Sequence, residues 1–259
     1  MTKRNQVVKQ RPGGQSAAQA SGVLAGDILS LIRKESAAAL SRASPPAIGP
    51  AAPERRDRPF LSVWEIDASL EAALTQHDPA ADLWLFGYNA LMWNPIVDYD
   101  KAQTGLLKGW HREFCIRTIG GRAVATDPGL ILALEPGGES DGRLFRIPAE
   151  RVRNELRLLW QWEMSSGIFG AEWVQVETDE GPLRALTFVA DPTHLAYIGK
   201  LEDAEIVACL LKSRGMPGGC ADYLKQMTVA LSHLGLSDPA LERLARRLKR
   251  TRDKAQRRR

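Results

Sequence analysis

Glu163 is the residue whose setting most invites chemistry in this 259-residue sequence. The segment 148–164 opens on a proline, which the first turn of a helix tolerates, and then carries Val152, Leu156, Leu159 and Trp160 at the spacing of one helix face. Glu163 follows Leu159 by four residues, Trp160 by three and Leu156 by seven, so its carboxylate projects from that same apolar side. Such a group pairs with an arginine, emerges into solvent at the helix end, or stays desolvated. In the last case its pKa rises toward neutrality, which is what a proton acceptor needs. Periodicity alone leaves the three open.

A second feature is the run Phe86-Gly87-Tyr88-Asn89-Ala90-Leu91-Met92-Trp93-Asn94-Pro95. An apolar strand at 83–88 ends there in a tight polar turn, and successive backbone N–H groups of such a turn can hold an anion or a developing oxyanion. The remaining reactive side chains form no comparable group. His77, His111, His194 and His233 stand far apart, and Cys115, Cys209 and Cys220 have neither metal-ligand spacing nor a nucleophile pattern, so no metal is expected and the cysteines read as small buried hydrophobes. Trp110, Trp160 and Trp162 read as core fillers, and His111 and Arg112 as hydrogen-bonded scaffolding beside a strand. Tyr197 is either a lid residue or ordinary packing.

The elements that must position these groups are of mixed type. Strands are expected at 83–88, 105–118, 130–134, 143–147, 173–178 and 183–190, the last two joined as a hairpin across Asp179-Glu180-Gly181-Pro182. Helices are expected at 148–164, 202–213, 222–234 and 239 to about 250, with Gly215 and Gly235 as helix-ending residues in the left-handed conformation. This order is α+β, not the alternation of a doubly wound sheet. The folded domain should span 60–248, because residues 1–59 are rich in Ala, Ser, Pro, Gly and Arg and offer little apolar area to offset ordering entropy. Within that arm 23–40 has near-helical apolar spacing, and its acid-free opening faintly resembles a targeting segment.

Charge is uneven. Residues 241–259 hold ten Lys or Arg against Glu242 and Asp253, and that excess of eight, set against +4 for the whole chain, leaves the remainder at −4. The basic tail, 249–259, reads as a solvated end that could contact RNA or another acidic partner only in a salt-dependent way, with no recognised nucleic-acid motif behind it. No run approaches the roughly 18 apolar residues a membrane span needs, and the scattered cysteines suit a reducing compartment, so a cytoplasmic protein is expected.

The loop at 86–95 resembles the substrate-binding loop of the ChaC-type, glutathione-specific γ-glutamylcyclotransferases, whose usual pattern is a Tyr-Gly-Ser-Leu run often extended into Met-Trp-x-Pro. Further segments match in order: Gly109-Trp110-His111-Arg112 with Phe114, the helix end from Leu158-Leu159 to Glu163, Leu183 through Ala190, Tyr197 with Gly199, Arg214-Gly215 and Tyr223-Leu224. The resemblance covers roughly residues 83–248. It implies a small mixed β-barrel with surrounding helices, no organic cofactor or metal, and a small γ-glutamyl substrate such as glutathione, cyclised to 5-oxoproline by its own α-amine. It places the catalytic glutamate on Glu163 and substrate binding on Tyr88, Asn89, Ala90, Leu91 and Tyr223, with backbone N–H groups of 89–91 as the anion cradle. Asn89 and Ala90 replace the family's glycine and serine, asparagine tolerating the left-handed backbone better than most residues and alanine lacking a hydroxyl. Cys220 stands where asparagine is frequent. A non-catalytic γ-glutamyl or peptide-binding module of the same fold is the alternative reading.

Overall fold

Two long strands dominate the computed structural model, which describes residues 60–119, 122–124, 126–215 and 218–257. The arm 1–59, with the helix expected at 23–40, lies outside the described residues. Strands β1 (Leu83–Gly87), β2 (Lys101–Thr118), β3 (Gly129–Ile147), β4 (Phe169–Glu177) and β5 (Leu183–Ala190) close into a barrel in the order β1-β3-β2-β4-β5. Their neighbours are antiparallel except β1 and β5, which run parallel through Trp84↔Ala185 and Leu85↔Leu186. Closure leaves the barrel without an open edge at that seam. The hairpin expected across 179–182 is present, its turn made possible by Gly181 at φ 108.

The separate strands expected at 130–134 and 143–147 are one strand. Pro136, Gly137 and Gly138 look like breakers, yet the two glycines take φ 95 and 68, opposite a register shift at Gly109 with φ 82, and the ladder passes through as a bulge. A second shift falls between Glu113 and Ile116. Residues from all five strands gather into one core with Tyr88, among them Phe86, Leu107, Leu134, Leu144, Val176 and Ala185. Gly105 and Gly142 face each other across β2 and β3. A Cβ on Gly105 would come within 2.6 Å of Val176, and one on Gly142 within 2.3 Å of the Phe86 ring and 2.8 Å of the Gly87 carbonyl. Glycine at this pair lets β4 and β1 approach closely enough to close the barrel.

Helix α1 (Val63–Leu74) was not apparent from the periodicity. Its start is written in Ser62-Val63-Trp64-Glu65, a capping box in which the Glu65 N–H donates to Ser62 Oγ at 3.3 Å and the Ser62 N–H to Glu65 Oε2 at 2.8 Å. Helix α2 (Val152–Glu163) buries Val152, Leu156, Leu159 and Trp160 as expected. The Trp160 ring meets Phe188 of β5 at 5.2 Å, and its N–H donates to Ser69 of α1 at 3.0 Å. Trp162, expected in the core, is instead 53 % exposed, because it lies about 100° around the helix from the buried face.

Helices α3 (Asp203–Lys212), α4 (Cys220–His233) and α5 (Pro239–Gln256) build a second core against Phe114, Leu130 and Leu132 of β2 and β3. Gly235 ends α4 at φ 71 in a Schellman motif, with the Leu236 N–H on the Leu231 carbonyl and the Gly235 N–H on that of Ser232. Gly215 plays no such part: α3 stops at Ser213, whose backbone turns extended (φ −59, ψ 135) and whose hydroxyl accepts the Cys220 N–H at 2.9 Å. Leu241, Leu244 and Leu248 anchor α5, which runs on to Gln256, past the end expected near residue 250, with its last turns exposed.

Gly142→Ala is expected to lower stability by about 1–3 kcal/mol, because the fully buried Phe86 ring cannot yield without disturbing the core; urea denaturation should show an earlier midpoint. An unchanged midpoint would mean that the glycine pair does not limit barrel closure.

Candidate active site

The loop leaving β1 folds back on itself. Gly87 permits this, since a Cβ there would sit 2.9 Å from that of Leu91. Tyr88 is fully buried and enters the five-strand core, while residues Ala90–Met92 form a single 3₁₀ turn. Asn89 has φ −118, so the left-handed backbone expected of it is not used. Its side chain caps the turn instead, Oδ1 accepting the Leu91 N–H at 3.1 Å. The Leu91 N–H, expected to face an anion, is therefore taken by the protein. Ala90 packs against the helical core and the Leu91 side chain is buried.

Arg112 fixes this loop from below. Lying between the two register shifts of β2, it is buried and directs its guanidinium at four groups. Nε donates to the Tyr88 carbonyl at 2.7 Å, Nη1 to Asp238 Oδ2 at 3.2 Å, and Nη2 to the Asp141 carbonyl and, at 3.6 Å, to Met92 Sδ. Asp238 in turn caps α5 through its other oxygen, accepting the Ala240 and Leu241 N–H groups. The following stretch is held by Glu155 of α2, which accepts the Asp98 N–H at 2.9 Å, two residues after Ile96 at the strained φ of 63.

Glu163 sits at the C-terminal end of α2, half-buried by surface area yet surrounded by enough protein to be desolvated. Desolvation alone pushes its carboxyl from 4.5 up to about 7, and no cation among the described residues offsets it. Its charge is felt by two phenols. Burial is the main cause that raises Tyr88 well above its ordinary range, with Glu163 next, and burial likewise raises Tyr223, where Arg122 opposes and Glu163 adds. Tyr223, from α4, meets the tilted Trp93 ring at 6.0 Å and Phe114 edge-on at 6.4 Å, with the Arg122 guanidinium 5.2 Å over its ring. The Tyr88 hydroxyl is sealed from solvent without a partner among the described residues; the Leu134 N–H is near enough to favour the phenolate slightly but not in hydrogen-bonding geometry.

Of the expected site residues, the structure thus brings Glu163, Tyr88 and Tyr223 into electrostatic contact, with Asn89 next in chain to Tyr88. Another interior carboxylate is already engaged: Glu135 accepts from the Tyr197 hydroxyl at 2.9 Å, which pushes Tyr197 up to about 12. Tyr197 is no lid, since it bridges to Ile116 and its neighbours hydrogen-bond to β2. His111 is scaffolding, its Nδ1 2.9 Å from the Gly137 carbonyl oxygen. Cys220 packs its sulfur against Gly129 and the Arg122 carbonyl within the helical core. Two surface clefts, of about 520 and 360 Å³, lie elsewhere, one between α1, β4 and β5 and one beside Gly105 and Asp179, and neither reaches Glu163 or the loop. Arg112, Glu155 and Glu135 were not singled out as site residues. Their partners stand 20–126, 57 and 62 residues away, distances at which sequence spacing carries no signal.

Residues 83–251 match the family model described as ChaC-like protein. The chain is 39 % identical over 179 residues to the glutathione-specific γ-glutamylcyclotransferase of Escherichia coli (strain K12), covering 68 % of this chain and 77 % of that one. It is 30 % identical over 155 residues to glutathione-specific γ-glutamylcyclotransferase 1 of Mus musculus, covering 58 % and 69 %. In fold it resembles the crystal structure of a γ-glutamyl cyclotransferase specific to glutathione from yeast, with a TM-score of 0.61 at 16 % identity over 66 % of this chain and 96 % of that one. The chain belongs to the ChaC-like protein family.

Two outcomes follow from these charges. Arg112→Met leaves the Tyr88 and Asp141 carbonyls and Asp238 without their donor, and is expected to cost about 3–5 kcal/mol in urea unfolding. For Glu163, the folded state keeps between pH 4.5 and about 7 a proton that the unfolded chain releases. Its contribution to stability is therefore full below 4.5 and falls as pH rises through 7, by up to about 3 kcal/mol in all. Glu163→Gln should accordingly unfold at higher urea than the parent at pH 8 and lose that advantage near pH 4.5; equal midpoints at pH 8 would show the carboxyl to be solvated.

Proposed function

We propose that this chain is a γ-glutamylcyclotransferase that converts glutathione, or a related γ-glutamyl peptide, into 5-oxoproline and the released amine. The observation that carries this is Glu163: a carboxylate on the packed face of α2, desolvated, without a cation, and close in charge to Tyr88 and Tyr223. The names of the similar proteins from Escherichia coli and Mus musculus support the same substrate class.

The reaction asks little of the protein beyond positioning and proton transfer. With the γ-glutamyl group folded back, its α-amine nitrogen attacks the γ-carbonyl carbon and closes a five-membered lactam, a step that gains from proximity. Glu163 takes a proton from that nitrogen. The carbon–nitrogen bond to the leaving residue then breaks, and Glu163 returns the proton to the departing nitrogen, giving cysteinylglycine when glutathione is the donor. The Asn89 and Ala90 N–H groups, which have no acceptor among the described residues, are the candidate donors to the substrate, with the buried Tyr88 ring behind them as part of the wall. The chemistry requires no metal or organic cofactor. No helix among the described residues is long and apolar enough to cross a membrane, and the free Cys115, Cys209 and Cys220 accord with a cytoplasmic setting.

Incubation with glutathione and with γ-glutamyl dipeptides is expected to release 5-oxoproline, detected by mass spectrometry. Glu163→Gln should reduce turnover at least about 100-fold, within the range for losing a general base. Because the ionised carboxylate is the acceptor, kcat/KM should rise with pH through an apparent pKa near 7 and this inflection should vanish in the variant. A γ-glutamyl ligand bound but never cyclised would instead support the binding-module reading.

A further inference from the structure

The last helix runs out of the core before it ends. Leu241, Leu244 and Leu248 bury α5 against the neighbouring helices, but every side chain from Lys249 to Arg257 is exposed. About two turns of helix after Leu248 therefore stand in solvent.

The cations on this helix are not spread evenly around it. At about 100° per residue, Arg243, Arg246, Arg247, Arg250, Lys254 and Arg257 fall in a stripe about 100° wide and about 21 Å long, on the side away from the three leucines. All six are exposed. The inner end of the stripe is neutralised, since Arg243 holds Asp203 at 2.8 Å and Arg246 holds Glu242 at 3.3 Å. Arg247, Arg250, Lys254 and Arg257 make no ion pair with the described residues; Asp203 feels Arg247 as well, but its carboxylate is already held by Arg243. The single acid of the exposed turns, Asp253, lies just beside the stripe. Attraction to the helix C-terminus favours cations in the last turn, so it explains Lys254 and Arg257 and leaves Arg247 and Arg250 unexplained. Like charges three and four residues apart repel, and a row of anions laid along the stripe removes that repulsion.

We propose that this face of α5 docks on the phosphate backbone of a nucleic-acid duplex, without reading its sequence. A straight stripe needs a partner with an unbroken line of anions, which a row of phosphates supplies and the scattered acids of a folded protein surface do not. Three of the four unpaired cations are arginine, whose planar fork suits phosphate oxygens. Residues 249–257 carry no large apolar side chain to enter a lipid surface and no aromatic ring on which single-stranded bases could stack. The proposal stands apart from the cyclotransferase reading.

The test uses the full chain with fluorescently labelled, mixed-sequence RNA and DNA duplexes of equal length, read by anisotropy. In 50 mM salt both should bind with Kd near or below about 10 μM, and four phosphate contacts to the DNA duplex should weaken about 100-fold between 50 and 200 mM salt. Arg250→Gln with Lys254→Gln removes two charges from the stripe, whereas Lys249→Gln with Arg252→Gln removes two from the flanks of the same turns. Glutamine is a good helix former, so both variants should keep the parent thermal midpoint. The stripe pair is expected to lose at least about tenfold in 50 mM salt and to shed about two contacts from the salt slope, and the flank pair to stay within about threefold of the parent. Equal losses in the two variants would reduce the effect to net charge and overturn the proposal. So would a parent that binds neither duplex in 50 mM salt, a preference beyond about 100-fold between RNA and DNA, or tighter binding to polyglutamate or to anionic phospholipid vesicles at matched charge.

Discussion

The structure turns on how two buried charges are treated. The Arg112 guanidinium is almost fully enclosed, and its burial, which alone would lower its pKa, is answered by Asp238, two backbone carbonyls and a thioether. Those partners come from the loop after β1, from β3 and from the N-cap of α5, so one side chain fastens the binding loop to the barrel and to the last helix. Glu163 receives the opposite treatment: it is desolvated and no cation among the described residues compensates it. A compensated buried charge is a structural device, whereas an uncompensated one lowers stability when ionised and is the kind of group whose pKa is poised for proton transfer.

The parts of this arrangement that follow from local periodicity were legible in the sequence. Val152, Leu156, Leu159 and Trp160 announce the face of α2, and Glu163 is carried along by the same geometry. The β4–β5 hairpin is announced by the residues around Gly181. What escaped depended on partners distant in the chain or on turn detail. Gly137 and Gly138 look like the end of a strand but form a bulge because β2 kinks opposite them. Gly215 looks like a helix cap, but Ser213 ends α3 by bonding to the start of α4. Helix α1 could have been found from Ser62 and Glu65, whose capping spacing is local. Trp162 could have been placed outside by extending the face argument, since it lies one residue from Glu163 on a helix and so about 100° around the axis.

Asn89 shows why composition of a loop does not settle its chemistry. Asparagine in a tight turn suggests tolerance of positive φ, yet the backbone here stays at φ −118 and the side chain does the capping. That cap takes the Leu91 N–H for the protein's own turn. The turn therefore exchanges a free backbone donor for a fixed loop geometry.

That exchange bears on the poise of Glu163. An arginine or lysine facing the substrate would hold an anionic head group more strongly than an amide, but its field would also favour the ionised carboxylate and pull its pKa back toward 4.5. The neighbouring cations are otherwise engaged: Arg112 is committed to the loop and Asp238, Arg143 donates to the Met92 carbonyl at 3.3 Å, and Arg122 lies over the Tyr223 ring and donates to Gln226 at 2.7 Å. Neutral amide, phenol and backbone donors would avoid that conflict, because dipoles contribute little net charge at the carboxylate. A bound anion would then raise the proton affinity of Glu163 further, strengthening the base at the moment when the amine proton must move.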